Sequence, residues 1–338
     1  MKSFLQTNGF LLGVVIAVAG AWWWPGIAAD DGPAGGEWIR SLAVAVIFFF
    51  QGLSLAPEAL YRGVRDVRLH LCSQLAIFLL SPLIMLALLF AATPFLTDPA
   101  LRTGFIYLAV LPTTVASATA LTSLAGGNVS GALFNATLSN VAGVFLVPVV
   151  VFAVLVEGAG ESYSLVQALA GVVRLVLVPL ILGQVARKWF AEWALKNRTA
   201  VRRVTAGLIL FLIYAAFCQS FAEAVWARVD ENELIATLAV SVLFLGLLSY
   251  GCWRLGRAFR LAPESRIAAL LCGSQKTLVA GLPMAVSLFT ATGPGSLELS
   301  LILIPLLCYH TLQLLLAGWL VPRLNTWRSR EEIGTSAK

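Results

Sequence analysis

The stretch Cys272-Gly-Ser-Gln-Lys-Thr-Leu-Val-Ala-Gly-Leu-Pro283 lies inside one long apolar run and places a lysine where hydrocarbon is expected. Lys276 is about twelve residues from Glu264, so at about 1.5 Å per residue it sits about 18 Å along a helix, near the centre of a bilayer. An ammonium there costs about 3 kcal/mol on insertion scales, so it is expected to face a protein cavity and to mark a binding or ion pathway. Gly273 before it, and Gly281 and Pro283 after it, are helix breakers, which predicts an interrupted span whose freed backbone groups line that cavity. The bland alternative, a snorkelling side chain at a span end, is weak because apolar sequence continues on both sides.

The rest of the chain fits that reading. Hydrophobic residues make up 59% and charged residues 12%, with a mean hydropathy of +0.88, more than a soluble core of this length would need. This is the composition of a polytopic membrane protein. Apolar spans are read at 10–28, 40–56, 70–92, 102–124, 129–156, 164–186, 204–222, 233–253, 265–290 and 297–321, ten in all. The first is read as a retained span and not as a cleaved signal. Five cysteines, all in or beside apolar segments and without CxxC spacing, read as packing residues.

Basic residues crowd alternate connections: Arg62, Arg65 and Arg68; Arg187, Lys188, Lys196, Arg198, Arg202 and Arg203; Arg254, Arg257, Arg260 and Arg266; then Arg323, Arg328, Arg330 and Lys338. The opposite connections hold Arg40, Arg102 and Arg228 but collect Asp30, Asp31, Glu37, Asp98, Glu157, Glu161, Asp230, Glu231 and Glu233. By the positive-inside rule both termini are cytoplasmic, in a plasma (inner) membrane. The net charge of +6 is a topology signal, and no nucleic-acid partner is expected. Trp22-Trp23-Trp24, Trp226, Trp253 and Trp319 fall near the interfaces, as an aromatic belt would.

The loop 157–163 divides the chain into halves of five spans, residues 1–157 and 163–322, with a cytoplasmic tail at 323–338. An odd number of spans per half places the halves in opposite orientation, the arrangement of inverted repeats. The fourth span of each half carries the interrupting chemistry, Leu111-Pro-Thr-Thr-Val-Ala-Ser-Ala-Thr119 in the first and Cys272–Thr277 in the second. Broken segments at matching positions of two halves point to a transporter site. Pro112 removes a helix hydrogen bond, and Thr113, Thr114, Ser117 and Thr119 can serve the opened carbonyls or a solute. Those hydroxyls can equally bond back into their own helix and allow close packing.

Lys276 can be the partner of an anionic substrate, a proton carrier, or a built-in substitute for a bound cation. Arg174, in the sixth span, holds its charge at any accessible pH and so is no proton shuttle; a lipid head group or a loop carbonyl is its expected partner. Gly126-Gly-Asn128 predicts a tight turn, and Asn135 with Ser139 share a helix face in the fifth span. Gln74, His310 and Gln313 are buried polar groups whose bland role is to satisfy a neighbour. With two histidines, no GxSxG or HExxH motif and no Gly-rich phosphate loop, the chain is not expected to be an enzyme.

These residues resemble the bile acid:sodium symporter superfamily, in particular the branch similar to member seven of solute carrier family 10 and its bacterial relatives. The resemblance rests on Pro112-Thr-Thr-Val-Ala-Ser117, Ala125-Gly-Gly-Asn128 with Phe134-Asn135, Val178-Pro-Leu-Ile-Leu-Gly-Gln184, Gly273-Ser-Gln-Lys276, and Tyr309-His310 followed by Gln313. It implies an all-α integral membrane fold: ten transmembrane helices in two inverted five-helix repeats, with broken helices four and nine crossing in a core domain against which a panel domain moves.

It also implies cotransport of a small organic anion, with Na+ as the coupling ion of the better-known branches. There a Glu precedes the crossover Gly by two and an Asn follows the Gln. Here Leu271 and Lys276 stand at those positions, and Ala118 stands where the fourth helix would carry another Asn. Gln275, Ser117 and Gln74 match retained ion-site positions, but a fixed ammonium beside the vacant carboxylate position would repel Na+. The expected substrate site is Thr113, Thr114, Ser117, Asn135, Ser274, Lys276, Thr277 and His310. No cofactor other than Na+ is implied, and the partners are the organic anion and the lipid bilayer. Two other readings stay open: a membrane regulator of calcium entry without transport of its own, and a cation or proton exchanger on the same architecture.

Overall fold

The computed structural model describes residues 2–30, 32–54, 66–156, 170–171, 173–227, 229–289 and 299–336. Asp31, Arg62, Arg65, the loop 157–163 with Glu157 and Glu161, Arg228 and Lys338 lie outside the described residues. Helices and short connections account for the described chain: α1 (Lys2–Trp23), α2 (Glu37–Ser54), α3 (Val67–Ala91), α4 (Pro99–Val110), α5 (Val115–Leu124), α6 (Val129–Val156), α7 (Val178–Lys196), α8 (Arg198–Ala222), α9 (Glu231–Ala258), α10 (Pro263–Ser274), α11 (Leu278–Phe289) and α12 (Leu299–Ser336). Among the described residues seven helical segments are long and apolar enough to cross a membrane, or eight if α4 and α5, bent by 57°, count as one. The apolar part of α1, Leu12–Trp23, is shorter.

The residues that set the boundaries are legible. Asp66, Asp98 and Asp230 each precede a helix and accept backbone N–H bonds from its first turn, capping α3, α4 and α9. Asp230 is held below the usual carboxylate range, chiefly by hydrogen bonds from Asn232. Gly126 has φ +72° and closes the turn between α5 and α6, as its sequence predicts. α12 runs on through Ser336, so the tail expected from residue 323 is helical to that point.

Helix packing uses small residues to bring backbones together. A Cβ on Gly52 would land on the carbonyl of Leu180, and one on Gly183 on the carbonyl of Phe49, so α2 and α7 touch backbone to backbone. Gln184 Nε2 adds a bond to the Gly52 carbonyl at 2.6 Å. Gly104 approaches the Ile302 carbonyl in the same way, drawing α4 against α12. α1 packs on α8, α2 on α7 and α8, and this group meets the rest largely through α11 and α12. α3, α4, α5, α6, α9, α10 and α12 pack among themselves. The α10–α11 segment is at the centre, its apolar stretch 94% buried against at most 50% for the other six.

One sequence expectation is corrected here. Gly273 lies inside α10 and Gly281 and Pro283 inside α11, so none of them makes the interruption. A Cβ on Gly273 would meet Cys252 Sγ at 2.5 Å, and one on Gly281 would meet Leu111 Cδ1 at 2.8 Å. These glycines admit neighbouring helices. Arg174 is exposed, in a π turn at Val173–Leu177 that leads into α7. Trp22, Trp23, Trp24 and Trp319 are exposed, whereas Trp226 stacks on Phe217 and Phe221.

Candidate functional site

Two interruptions lie at the middle of the bundle. The first is Leu111–Thr114 between α4 and α5, where Pro112 has no N–H to continue the helix. The second is Gln275–Thr277 between α10 and α11. They touch: the Thr277 N–H donates to the Pro112 carbonyl at 3.0 Å. Each break is restarted by a threonine cap, Thr114 Oγ1 accepting from Ala118 N at 3.1 Å and Thr277 Oγ1 from Ala280 N at 3.3 Å. Ser117 bonds to Thr114 and so stiffens the first cap.

A side-chain amide or hydroxyl from a neighbouring helix holds each break. On α12, Gln313 Oε1 accepts from Lys276 N at 2.8 Å while its Nε2 donates to Lys276 O at 3.0 Å. On α6, Ser139 Oγ accepts from Thr113 N at 3.4 Å and Asn140 Nδ2 donates to Thr113 O at 2.8 Å. These bonds pair both main-chain polar atoms of Lys276 and of Thr113, one residue in each break. Tyr309 OH donates to Ser274 O at 2.7 Å, and Tyr107 OH donates to Gly281 O, fixing α10 and α11 on either side of the gap.

The Lys276 side chain is fully buried, and among the described residues it makes no ion pair. Its Nζ donates to Ala109 O at 2.7 Å, Leu111 O at 2.9 Å and Ile77 O at 3.4 Å. The first two are carbonyls left open at the C-terminal end of α4, the negative end of that helix. The third is open for a covalent reason. Residues 76–80 of α3 form a π turn in which Ser81 N–H reaches Ala76 O, so the next donor in that register would be residue 82, which is a proline. Ser81 Oγ also donates to Ala109 O at 2.6 Å. The ammonium therefore sits in a cage of backbone oxygens, the ligand type that otherwise receives a hard cation.

The structure brings Thr113, Thr114, Ser117, Ser274, Gln275, Lys276 and Thr277 to one junction. Ser274 Oγ bonds back to Leu270 O at 2.8 Å, and its carbonyl is taken by Tyr309. His310 joins at one remove, its Nδ1 2.8 Å from Gln313 Nε2 and its ring edge-on to Phe10. Asn135 and Gln74 form a separate pair: Gln74 Nε2 donates to Asn135 O and Oδ1, each at 3.2 Å, and Asn135 Nδ2 to Gly131 O at 2.9 Å. The buried oxygens Gln74 Oε1, Gln275 Oε1 and Thr113 Oγ1 have no hydrogen-bond partner among the described residues. Tyr107, Tyr309, Ser81 and Asn140 complete the junction beyond the expected set; for Ser81 the usable signal was the Ser-Pro pair in mid-span.

Comparison with known proteins gives the family. Residues 8–326 match the model of the SBF-like CPA transporter family. The chain belongs to that family. An uncharacterized protein of Pseudomonas aeruginosa is 34% identical over 287 residues, 85% of this chain and 84% of its own. YfeH of Escherichia coli is 33% identical over 96% of this chain and 94% of its own length. Sodium/bile acid cotransporter 7 of the mouse is 29% identical over 96% of this chain and 94% of its own. The family and these relatives make this SBF-like chain a multi-pass membrane transporter, not an enzyme, surrounded by lipid and acting on a small molecule.

Proposed function

We propose that the chain is a secondary active transporter that moves a small organic anion by alternating access. The observation that carries this reading is the junction itself: two half-helix N-termini, those of α5 and α11, start within one hydrogen bond of each other while Lys276 neutralises the C-terminal end of α4. With the negative end occupied, the positive N-terminal ends are left to draw an anion to the midplane. Thr113, Thr114, Ser117, Thr277 and Gln275 are the groups there that would meet it. Asn135, Gln74, Ser274 and His310 act behind them.

The finer architecture belongs to the same proposal: ten spans in two inverted repeats, residues 1–157 and 163–322, with α4–α5 and α10–α11 as the fourth and ninth. The pairing of elements supports it. Exchanging the halves turns the α1–α8 contact into the α7–α2 contact, and the Gln313 clamp on Lys276 into the Ser139–Asn140 clamp on Thr113. It also turns the bond from Ser265 Oγ to Asp66 into the bond from Thr97 Oγ1 to Glu233. In this reading α1, α2, α7 and α8 form the panel and the remaining helices the core. Gln51 Nε2 of α2 donates to Asn140 Oδ1 at 3.3 Å, a polar link from panel to break. Both termini would be cytoplasmic in the plasma membrane, in keeping with the basic connections.

The mouse relative's name carries sodium and bile acid. For this chain we propose an organic anion and no sodium coupling, because Leu271 supplies no carboxylate and Lys276 already fills a cage of carbonyls with its own charge. The test is uptake into proteoliposomes across a panel of organic anions, with sodium replaced by potassium and with a pH step imposed. Saturable anion flux that is indifferent to sodium and lost in Lys276→Gln supports the reading. Flux that requires sodium overturns the coupling assignment, and full-rate flux in Lys276→Gln overturns the role of the amine.

A further inference from the structure

Away from the junction, α9 and α12 enclose a groove of about 500 Å³, lined among others by Gly246, Tyr250, Trp253, Trp319, Arg323 and Trp327. The volume is within the range of small-molecule and cofactor sites. Its floor is apolar, from Leu270, Leu316, Leu320 and Leu324. Gly246 opens it: a Cβ built there would meet nothing within 4 Å among the described residues. The flank around the groove carries exposed Val242, Leu243, Leu247 and Leu315, so it faces the hydrocarbon that surrounds the spans.

One end is strongly basic. Arg323 lies over the Trp319 ring at 3.8 Å, Arg254 over Tyr250 at 6.0 Å, and Arg266 between Trp253 at 5.4 Å and Trp327 at 5.3 Å. None of the three makes an ion pair among the described residues. Arg323 and Arg266 each donate to a backbone carbonyl, of Trp319 and Leu261, and Arg266 Nε is buried without a hydrogen-bond partner among the described residues. Three guanidinium groups parked on aromatic faces, with donors to spare, complement an anion. An apolar trough that opens on lipid and ends in such a cluster fits a molecule with an acyl chain and a phosphate.

We propose that this groove is a binding site for an anionic phospholipid, its acyl chain lying along Gly246 and the tryptophan rings and its phosphate meeting Arg323 and Arg254. The charge complementarity commits the site to an anionic lipid over a zwitterionic one. Each arginine engaged near an anionic head group makes binding about 5-fold tighter.

The lining tryptophans provide the readout. The full-length protein is reconstituted in phosphatidylcholine vesicles containing a minor, matched fraction of brominated phosphatidylglycerol or brominated phosphatidylcholine, and tryptophan quenching is compared. Phosphatidylglycerol should saturate quenching at an about 5-fold or more lower fraction. That preference should vanish in the double variant Arg254→Gln/Arg323→Gln. In Gly246→Leu, whose side chain enters open space, the groove component of quenching should fall for both lipids. Equal quenching by the two lipids in the wild-type protein overturns the proposal, as does a preference that survives the arginine substitutions. Loss of the phosphatidylglycerol preference on adding free glycerol phosphate would assign the arginines to a soluble phosphate compound and also overturn it. Unchanged helical circular dichroism in each variant separates loss of binding from loss of fold.

Discussion

Thr277 and Pro112 are joined by a backbone hydrogen bond of 3.0 Å, although 165 residues of sequence separate Lys276 from the Leu111 carbonyl that its amine also binds. The two breaks are thus one structural unit, locked from both sides by main chain and side chain. Removing the amine tests that lock. In Lys276→Met the carbonyls of Leu111 and Ile77 lose their donor, while Ala109 O keeps Ser81. Relief of ammonium desolvation offsets part of the loss, so the expected net destabilisation is about 2 kcal/mol. Thermal unfolding in detergent, followed by tryptophan fluorescence, should show a lower midpoint for Lys276→Met than for Lys276→Gln, whose amide can still donate. An unchanged midpoint in both would mean that the cage is not held by the amine.

Gln313 makes a sharper case because it satisfies both main-chain polar atoms of one residue, Lys276. Gln313→Leu is close in volume but leaves Lys276 N and O without partners and frees His310 Nδ1. The expected cost is about 3 kcal/mol, together with loss of uptake. Its counterpart Asn140→Leu should behave alike through Thr113 O and Gln51. If the halves are related as proposed, both variants lower transport more than they raise the half-saturating anion concentration. A defect confined to one of them, measured in the same proteoliposomes, would break the equivalence.

How far the sequence disclosed this site depends on the kind of group involved. Pro112 was readable as a break because a missing N–H leaves its mark wherever proline falls in a span. Lys276 was readable because charge in hydrocarbon is costly. Its partners were not, since backbone carbonyls carry no residue signature. Gly273 and Gly281 misled for a related reason: a glycine in a span serves close approach as well as interruption, and only the neighbours Cys252 and Leu111 decide between the two. The second break fell at Gln275–Thr277 because Gln313, 37 residues away, supplies the pairing that permits it. The span pattern was legible for α3, α6 and α9, whose apolar runs are long, and less so for α1, whose apolar part is short.

The glycines give a prediction with opposite signs. Gly52→Val and Gly183→Val place methyl groups on the carbonyls of Leu180 and Phe49, and α2 must separate from α7. Such overpacking costs about 1–3 kcal/mol, and the lost Gln184–Gly52 bond adds to it. Gly207 in α8 is the control, since a Cβ there meets nothing within 4 Å among the described residues. Gly207→Ala is expected to stabilise by up to about 0.8 kcal/mol through helix propensity alone. Denaturation midpoints of the three variants, measured in one detergent, check the order; a stabilised Gly52→Val would contradict the close approach.

The acidic clamps at the two ends of the bundle offer a test of how far rigidity extends. Glu233 Oε1 receives Thr97 N at 2.8 Å, Thr97 Oγ1 at 2.6 Å and Asp98 N at 2.9 Å, whereas Asp66 receives Ser265 Oγ at 2.6 Å and caps α3 through Leu69 N at 3.2 Å. Glu233→Ala strips three donors of a charged acceptor and should cost about 2–3 kcal/mol, more than the roughly 1–2 kcal/mol of Asp66→Ala. Between them runs most of α9, Glu233 to Ala258, about 37 Å of helix. At that distance the two losses should add to within about 0.5 kcal/mol in the double variant. Additive unfolding free energies would mean that each clamp closes its own end. A double variant much less destabilised than the sum would mean instead that losing one clamp already releases the other, so that α3, α4, α9 and α10 move as a single body when the junction opens.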